Sequence, residues 1–270
     1  MSRLKKWSKM LSRLRPFKRL QHVEDLILST QAELERAGHM NAEILDVVRH
    51  VNGKTLNVHM DSLDLREVSR LRAGLSSSRF FDRHMQDAKQ FFVLEDFLKY
   101  CVDQTTHRDA FLEFGVFSGR SVNIIADRAK DAKVAGFDSF EGLPETWRSG
   151  FEQGVFAVAE LPEVRSNVTL VKGWFDETLP SFVKTLTAPV GFVHVDCDLY
   201  SSTKTIFDIL GPYFADEVIV VFDEYFNYPG WEDHEHKAFK EFLSQSDFEH
   251  EFIACIPVHQ QAAARLRRRQ

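Results

Sequence analysis

Short apolar segments alternate with amphipathic ones through the second half of the chain. Apolar runs of strand length occur at residues 110–114, 134–137, 168–171, 191–195 and 217–222. Apolar positions at helical spacing lie between them, at residues 121–130, 177–186 and 201–210. Alternating strands and helices are typical of a parallel sheet that is covered on both faces. The pattern therefore predicts an open, doubly wound α/β sheet.

The two ends of this region follow other patterns. Residues 91–100 are predicted to form the helix that leads into the first core strand. Residues 252–256 and 261–266 are separated by a short turn and have the pattern of two strands without a helix between them. We therefore predict five parallel strands followed by a terminal hairpin that contributes an antiparallel strand.

The first 20 residues form a basic amphipathic pattern. Leu4, Trp7, Leu11 and Leu14 recur at helical spacing among Lys and Arg residues, and Pro16 ends the pattern. We interpret this segment as a helix that packs on a subunit or frays in solvent. Docking on a membrane surface is the alternative.

Apolar positions between residues 22 and 51 predict one or two further helices, and no strand-like alternation accompanies them. We interpret residues 1–90 as a helical extension that serves in homo-oligomerisation or covers a substrate. Residues 91–270 are interpreted as the domain that contains the sheet.

Composition narrows the class of protein. The chain has 270 residues, of which 44% are hydrophobic and 27% charged, as in ordinary soluble globular proteins. Its three cysteines are an odd number without Cys-x-x-Cys spacing, which argues against a disulfide framework and favours a reducing compartment. No apolar run approaches the roughly 20 residues of a membrane span, and no signal-peptide pattern is found. A cytoplasmic location is expected.

Charge is distributed unevenly. Residues 1–23 hold eight Lys or Arg and no acidic residue, and residues 265–269 hold four Arg. Removing these twelve bases from the total of 34 leaves 22 against 40 acidic residues. Such an acidic body binds nucleic acid poorly, so no nucleic-acid partner is expected. The basic ends are interpreted as solvated tails, with contact to an acidic partner or anionic membrane as the alternative.

Residues 109–121 read DAFLEFGVFSGRS and combine a buried strand, a glycine-containing turn and the start of a helix. This arrangement commonly holds a nucleotide-like ligand. The spacing Glu-x-Gly-x-x-x-Gly differs from the dinucleotide fingerprint and from the P-loop. A carboxylate inside the turn, at Glu113, would repel a pyrophosphate and suits a cationic ligand. An ordinary strand-to-helix turn is the alternative.

Carboxylates also follow the next two predicted strands, at the edge where open α/β sheets bind ligands. Asp138 lies 25 positions after Glu113, a distance that suits an acceptor for ribose hydroxyls. Phe175 and Asp176 follow the third strand, where a ring and a carboxylate suit a flat base with an exocyclic amine. Helix capping by Asp138 and core packing by Phe175 are the alternatives.

Acidic residues cluster after the fourth and fifth strands. Asp196 follows one strand, and Asp223 and Glu224 follow the other. Neighbouring carboxylates repel one another unless a cation lies between them or one is protonated. An all-oxygen set suits Mg²⁺. A zinc site at His234 and His236 is disfavoured, because residues two apart lie on different faces of a helix.

Five motifs in this order resemble the macrocin O-methyltransferase family. They read FLEFGVFSGRS, DSFEGLPE, GWFDETLP, HVDCDLYSST and FDEY, and the resemblance covers roughly residues 108–266. The family contains class I S-adenosylmethionine-dependent enzymes, which methylate sugar hydroxyls of natural products with a divalent metal. A more distant similarity to catechol O-methyltransferase helps to place residue roles. The resemblance implies the Rossmann-like fold of class I methyltransferases.

The resemblance also implies a site. The methionine half of the cofactor would lie against Glu113, Gly115, Phe117, Gly119 and Ser121. The ribose would lie at Asp138 beside Ser139, and the adenine at Phe175 and Asp176. Mg²⁺ would bind at Asp196, Asp223 and Glu224. The base that takes the proton of the acceptor hydroxyl would be Asp196, with His234 or His236 as competing candidates.

Two residues depart from the family pattern. Glu224 stands where Asp or Asn is usual, and Asp198 occupies the place of the lysine that catechol enzymes use as base. The segment at residues 145–154, with Trp147 and Phe151, is interpreted as a lid over the acceptor, or else as a buried surface loop. A metal-independent methyltransferase, an NAD-linked enzyme and a non-catalytic scaffold remain alternatives.

Overall fold

The apolar run after residue 109 forms the central strand of a sheet in a computed structural model, which describes residues 64–269. All five residues of this strand, β2 (Ala110–Phe114), are buried. Burial on both faces is typical of strands in a parallel sheet that helices cover on both sides. The chain's hydrophobic pattern thus places β2 at the centre of the fold.

Eight strands form one sheet in the order β1-β7-β8-β6-β5-β2-β3-β4, and among them β8 alone runs opposite to the rest. Their bounds are β1 Lys89–Gln90, β3 Lys133–Asp138, β4 Val168–Lys172, β5 Val190–Val195, β6 Phe214–Phe222, β7 Phe248–Cys255 and β8 Ala262–Arg268. The predicted doubly wound sheet with an antiparallel C-terminal strand is confirmed.

Six α-helices of the described chain cover the two faces. They are α1 Leu65–His84, α2 Leu94–Asp103, α3 Arg120–Arg128, α4 Phe175–Phe182, α5 Tyr200–Leu210 and α6 Glu235–Gln245. Buried residues of α2 and α3 share a core with one face of the sheet. Buried residues of α1, α4, α5 and α6 share a second core with the opposite face. The sheet therefore separates two hydrophobic cores.

The C-terminal arginines do not form the solvated tail that the charge pattern predicts. Arg265, Arg267 and Arg268 belong to β8, which lies between β6 and β7. Arg267 contacts Glu217 at 2.9 Å, and Arg268 contacts Asp247 at 2.8 Å. The strand keeps these side chains beside an acidic residue of β6 and one that directly precedes β7, so the prediction of a tail is wrong.

The N-terminal predictions fall mostly outside the described residues. These are the helices at residues 1–20 and 22–51, the membrane contact and the homo-oligomer interface, and all of them stay predictions. The compact unit that contains the sheet begins at Val68, and the predicted domain boundary at residue 90 also stays a prediction.

None of the helices between residues 64 and 269 is long and apolar enough to cross a bilayer.

The turn after β2 passes against the end of β5. Gly115 has a φ of +94°, and a Cβ built on it would lie 1.7 Å from the carbonyl oxygen of Asp196. Hydrogen bonds on both sides fix this approach, because Gly115 N donates to Phe137 O and Asp196 N donates to Phe114 O. Only glycine combines this backbone conformation with so close a contact.

We expect Gly115→Ala to destabilise the domain by more than about 4 kcal/mol, because backbone strain and a backbone clash act together. Gly150→Ala is the matched control, since Gly150 has a φ of +89° with no atom within 4 Å of a built Cβ. This control should lower the free energy of unfolding by only about 1–2 kcal/mol, the cost of a non-glycine residue in the left-handed conformation. Urea denaturation of both variants measures the difference, and equal losses would contradict the role of the close approach.

Candidate active site

A cavity of about 860 Å³ opens at the carboxyl edge of the parallel strands. Residues from the turns after β2, β3, β4, β5 and β6 line it, as the position of ligand sites in open α/β sheets predicts. Six of the predicted cofactor residues are in the lining: Gly115, Phe117, Asp138, Ser139, Phe175 and Asp176. Its size lies within the range of small-molecule and cofactor sites.

Asp138 organises the wall of this cavity. Its Oδ2 accepts hydrogen bonds from the backbone N–H groups of Val116 and Phe117, both at 2.8 Å, and its Oδ1 accepts one from Phe140 at 2.6 Å. Phe117 has a left-handed φ of +45°, so these bonds hold a strained turn in place. A carboxylate has about four acceptor positions, which leaves one for a ligand hydroxyl.

Glu113, Gly119 and Ser121 lie behind the cavity wall rather than in its lining. The Glu113 side chain is fully buried, and its Oε1 accepts a 2.7 Å hydrogen bond from the Ser121 hydroxyl at the start of α3. Gly119 caps α3 in a left-handed conformation. These three residues therefore join β2 to α3 and shape the turn from beneath.

Four carboxylates meet at the ends of β5 and β6. Burial, reinforced by Asp223 and Asp198, raises the pKa of Asp196 well above its usual range. Burial and the charge of Asp223 likewise raise the pKa of Glu224. Asp223 is oriented by Gln261, whose Nε2 donates to Asp223 Oδ1 at 3.0 Å. The close spacing of these four carboxyl groups, those of Asp196, Asp198, Asp223 and Glu224, opposes ionisation of all of them. The four together therefore favour a positively charged ligand.

Glu235, at the start of α6, adds a further buried carboxyl. Its side chain is fully buried and its Oε2 accepts a hydrogen bond from the backbone N–H of Glu224 at 3.2 Å. Burial, together with Asp223 and Asp198, raises the pKa of Glu235. This residue has no role in the sequence motifs, and its contact with Glu224 becomes visible only in the folded chain.

Asp198 is the functional candidate that sequence reasoning passed over as a departure. It lines the cavity, is 7% exposed and has a left-handed φ of +64°. Non-glycine residues in this conformation concentrate at functional sites. Burial and the neighbouring Asp223 raise the pKa of Asp198 to about 7. In the sequence, the Asp-x-Asp spacing after β5 was the signal that could have identified Asp198 as a site residue.

The two histidines proposed as bases lie away from the lining of this cavity. His236 is buried, its Nδ1 lies 3.0 Å from the Tyr225 hydroxyl, and it borders a second cavity beside α1. Burial lowers the pKa of His236 to about 4. His234 packs between Trp147 and Tyr228, with ring centroids at 6.2 Å. Their catalytic role stays a prediction.

The predicted lid segment packs beside the carboxylates. The Arg148 guanidinium lies 3.8 Å from the ring centroid of Trp147, 4.8 Å from that of Phe151 and 4.9 Å from that of Tyr228. The charge of Arg148 opposes the rise in the pKa of Asp198. Arg148 Nε, Trp147 Nε1 and the Tyr228 hydroxyl are buried without a hydrogen-bond partner in the described chain. These residues lie beside the cavity and outside its lining, and buried donors without a partner are rare in native proteins.

Asp196 and Asp223 lie close enough to be candidate ligands of one cation. Together with His194 they offer ligand atoms that all lie within 4.8 Å of one another. Glu224, the third predicted ligand, is outside that set, although its Oε2 is buried without a hydrogen-bond partner among described residues. Carboxylate oxygens at this spacing fit a divalent cation.

Comparison with known proteins agrees with the motifs. Residues 112–225 match the family model described as a methyltransferase domain. The chain is 32% identical over 164 residues to the 8-demethyl-8-(2,3-dimethoxy-alpha-L-rhamnosyl)-tetracenomycin-C 4'-O-methyltransferase of Streptomyces olivaceus. That alignment covers 48% of this chain and 59% of the relative. Residues 112–225 are therefore similar to a methyltransferase domain, and the predicted resemblance to sugar O-methyltransferases is confirmed.

Solved structures of two methyltransferases are similar in fold. CalS11, a calicheamicin methyltransferase, is 22% identical with a TM-score of 0.49, over 84% of this chain and 94% of that one. The O-methyltransferase NovP is 23% identical with a TM-score of 0.48, over 65% of this chain and 79% of that one.

We expect Asp138→Asn to destabilise the domain by about 1.5–3 kcal/mol, because an amide oxygen replaces a charged acceptor of backbone N–H groups. Asp176→Asn is the control, since the exposed Asp176 lines the same cavity. It should change the free energy of unfolding by less than about 0.5 kcal/mol. Denaturant unfolding without ligand measures both, and an unchanged stability of Asp138→Asn would contradict the structural role of Asp138.

Proposed function

We propose that this chain transfers a methyl group from S-adenosylmethionine to a hydroxyl of a sugar, glycan or natural-product acceptor, with a divalent cation assisting. The observation that carries the proposal is the charge of the cavity. Eight carboxylates line it, at positions 138, 141, 176, 177, 196, 198, 223 and 224, and no Lys or Arg of the described chain is in the lining. A sulfonium and a divalent cation are positively charged, whereas the pyrophosphate of NAD is not.

The cofactor residues divide the cavity along the strand ends. The turn at Gly115 and Phe117 holds the methionine part, while Asp138 and Ser139 hold the ribose. Phe175, whose ring packs edge-on against Phe114 at 5.3 Å, forms one side of the adenine site beside Asp176. Glu113, Gly119 and Ser121 support this turn from behind the cavity wall. They therefore act on the cofactor through the backbone of the turn.

S-Adenosylmethionine supplies an activated sulfonium methyl, and a divalent cation supplies positive charge that favours loss of the hydroxyl proton. The chain's own task is to hold the acceptor oxygen in line behind that methyl and to keep water out. Asp196 and Asp223 hold the cation, with Glu224 as the predicted third ligand. If no cation takes part, Asp223 and Glu224 instead accept hydrogen bonds from the acceptor.

Asp198 is the base that the geometry favours. The carbon–sulfur bond breaks as the carbon–oxygen bond forms, and the Asp198 carboxylate takes the proton of the hydroxyl. Its place in the lining beside the cation residues supports this role, as does a backbone strain that only surrounding structure can maintain. Asp196 as base, the first choice from sequence, has the competing duty of holding the cation.

An oxygen-rich acceptor agrees with the aromatic segment at residues 147–151. Sugars have both apolar ring faces and many hydroxyls, and this segment, which lies beside the cavity, combines aromatic rings with buried donors that lack partners among the described residues. The Streptomyces relative is named for methylation of a rhamnosyl hydroxyl. We therefore propose a deoxysugar or related glycoside as the first acceptor class to test.

We expect S-adenosylhomocysteine to stabilise the protein by about 2.7 kcal/mol at a hundredfold excess over its Kd, because it binds the native state alone. Thermal unfolding with S-adenosylhomocysteine and with NAD measures this, and NAD should have no effect. Methyl transfer is then assayed as the gain of one methyl group in a panel of rhamnosides. Stabilisation by NAD in place of S-adenosylhomocysteine would contradict the proposed function.

We expect Asp198→Asn to lower the rate of methyl transfer by about 10²–10⁴-fold, the usual contribution of a general base. Its affinity for S-adenosylhomocysteine should stay at the wild-type value, because Asp198 acts on the acceptor. His236→Gln is the control, since His236 borders a different cavity. An inactive His236→Gln beside an active Asp198→Asn would reverse the assignment.

A further inference from the structure

His194 is a buried histidine for which the fold gives no hydrogen-bond partner. Its side chain is 0% exposed in β5, and neither ring nitrogen has a hydrogen-bond partner among the described residues. Buried polar groups in native proteins nearly always have one. Among the described residues the ring has only the 3.5 Å approach of the Glu113 carboxylate, so at least one ring nitrogen lacks a partner.

Strand geometry places His194 beside two functional carboxylates. It pairs in register with Glu113 of β2, and Asp196 follows two positions later along the same chain. Because side chains two apart on a strand share a face, the strand directs His194 and Asp196 to one side of the sheet. The histidine thus belongs to the same layer as the cation residues.

Glu113 holds one side of the imidazole. Its Oε2 lies 3.5 Å from His194 Nδ1, while its Oε1 is fixed by the Ser121 hydroxyl at 2.7 Å. Metal-bound histidines usually direct their second ring nitrogen at such a carboxylate, which orients the ring and sets its tautomer. With Nδ1 facing Glu113, Nε2 is left for another partner.

The partner that the His194 ring still lacks would lie between this ring and the carboxylates of Asp196 and Asp223. His194, Asp196 and Asp223 offer one ligand atom each, all within 4.8 Å of one another. Ligand atoms on opposite sides of one divalent cation are about 4 Å apart. A small adjustment of the side chains brings all three to one ion.

We infer that His194 is a ligand of the cation held by Asp196 and Asp223, and that Glu113 is the positioning residue of its ring. The inference rests on the proposed function for the presence of a cation. An imidazole ligand favours transition metals over Mg²⁺, whereas a carboxylate-only site suits Mg²⁺. The site is therefore expected to bind Mn²⁺ more tightly than Mg²⁺.

Pulsed electron paramagnetic resonance of the full chain loaded with Mn²⁺ alone tests the ligand directly. We expect a ¹⁴N coupling from a bound imidazole in the wild-type protein, lost in His194→Gln. The coupling should persist in His236→Gln, the control for other histidines. Absence of the coupling in wild type, its persistence in His194→Gln, or no Mn²⁺ binding would overturn the inference.

Calorimetric titration with Mn²⁺ and Mg²⁺ gives a second readout. His194→Gln should weaken Mn²⁺ binding by at least about 100-fold, and Glu113→Gln by about 10–100-fold with the ¹⁴N coupling retained. The melting temperature of each variant shows whether it is folded. If a variant is unfolded, the wild-type spectrum still decides whether an imidazole binds the Mn²⁺ ion. Binding of S-adenosylhomocysteine and methyl transfer by the wild type are measured separately. If S-adenosylhomocysteine binds and methyl transfer occurs while bound Mn²⁺ shows no ¹⁴N coupling, this inference is refuted and the proposed function stands.

Discussion

The site depends on how closely the chain after β2 approaches the end of β5. The missing side chain of Gly115 lets its backbone lie against the Asp196 carbonyl, and the hydrogen bond from Asp196 N to Phe114 O closes the contact. This approach aligns the two strand ends, so that Glu113 lies opposite His194. A larger residue would separate the two strand ends from which the cofactor turn and the cation residues extend.

The close contact between the ends of β2 and β5 has an electrostatic consequence. Parallel strands that end at one edge bring their terminal carboxylates together, and burial raises the pKa values of Asp196, Glu224 and Glu235. The protein keeps this unfavourable arrangement although apolar or amide side chains would be more stable there. Such crowding is useful only when positive charge occupies the cavity. The proposed sulfonium and divalent cation both meet that requirement.

The sequence predicted the sheet well because its core strands are continuous apolar runs. It missed β1, whose two exposed residues, Lys89 and Gln90, carry no hydrophobic signal. It also predicted five of the eight cavity-lining carboxylates, at positions 138, 176, 196, 223 and 224, because these positions follow from strand ends alone. It missed His194, which within an apolar strand looks like core, and Arg148, whose contact with Tyr228 joins residues 80 positions apart. Such contacts arise from tertiary packing, which a local pattern does not contain.

The cavity and the aromatic segment beside it (residues 147–151) differ in how they are built, and this suggests a division of labour. The carboxylates extend from buried strands, which hold them rigidly, whereas Arg148 is held by the faces of Trp147 and Phe151 from its own loop. Contacts with ring faces constrain a guanidinium less than paired hydrogen bonds do, and they leave its N–H groups available. The rigid carboxylates suit a cofactor and a cation of fixed geometry. The aromatic segment lies outside the cavity lining, so its contribution to acceptor binding depends on a change in its packing.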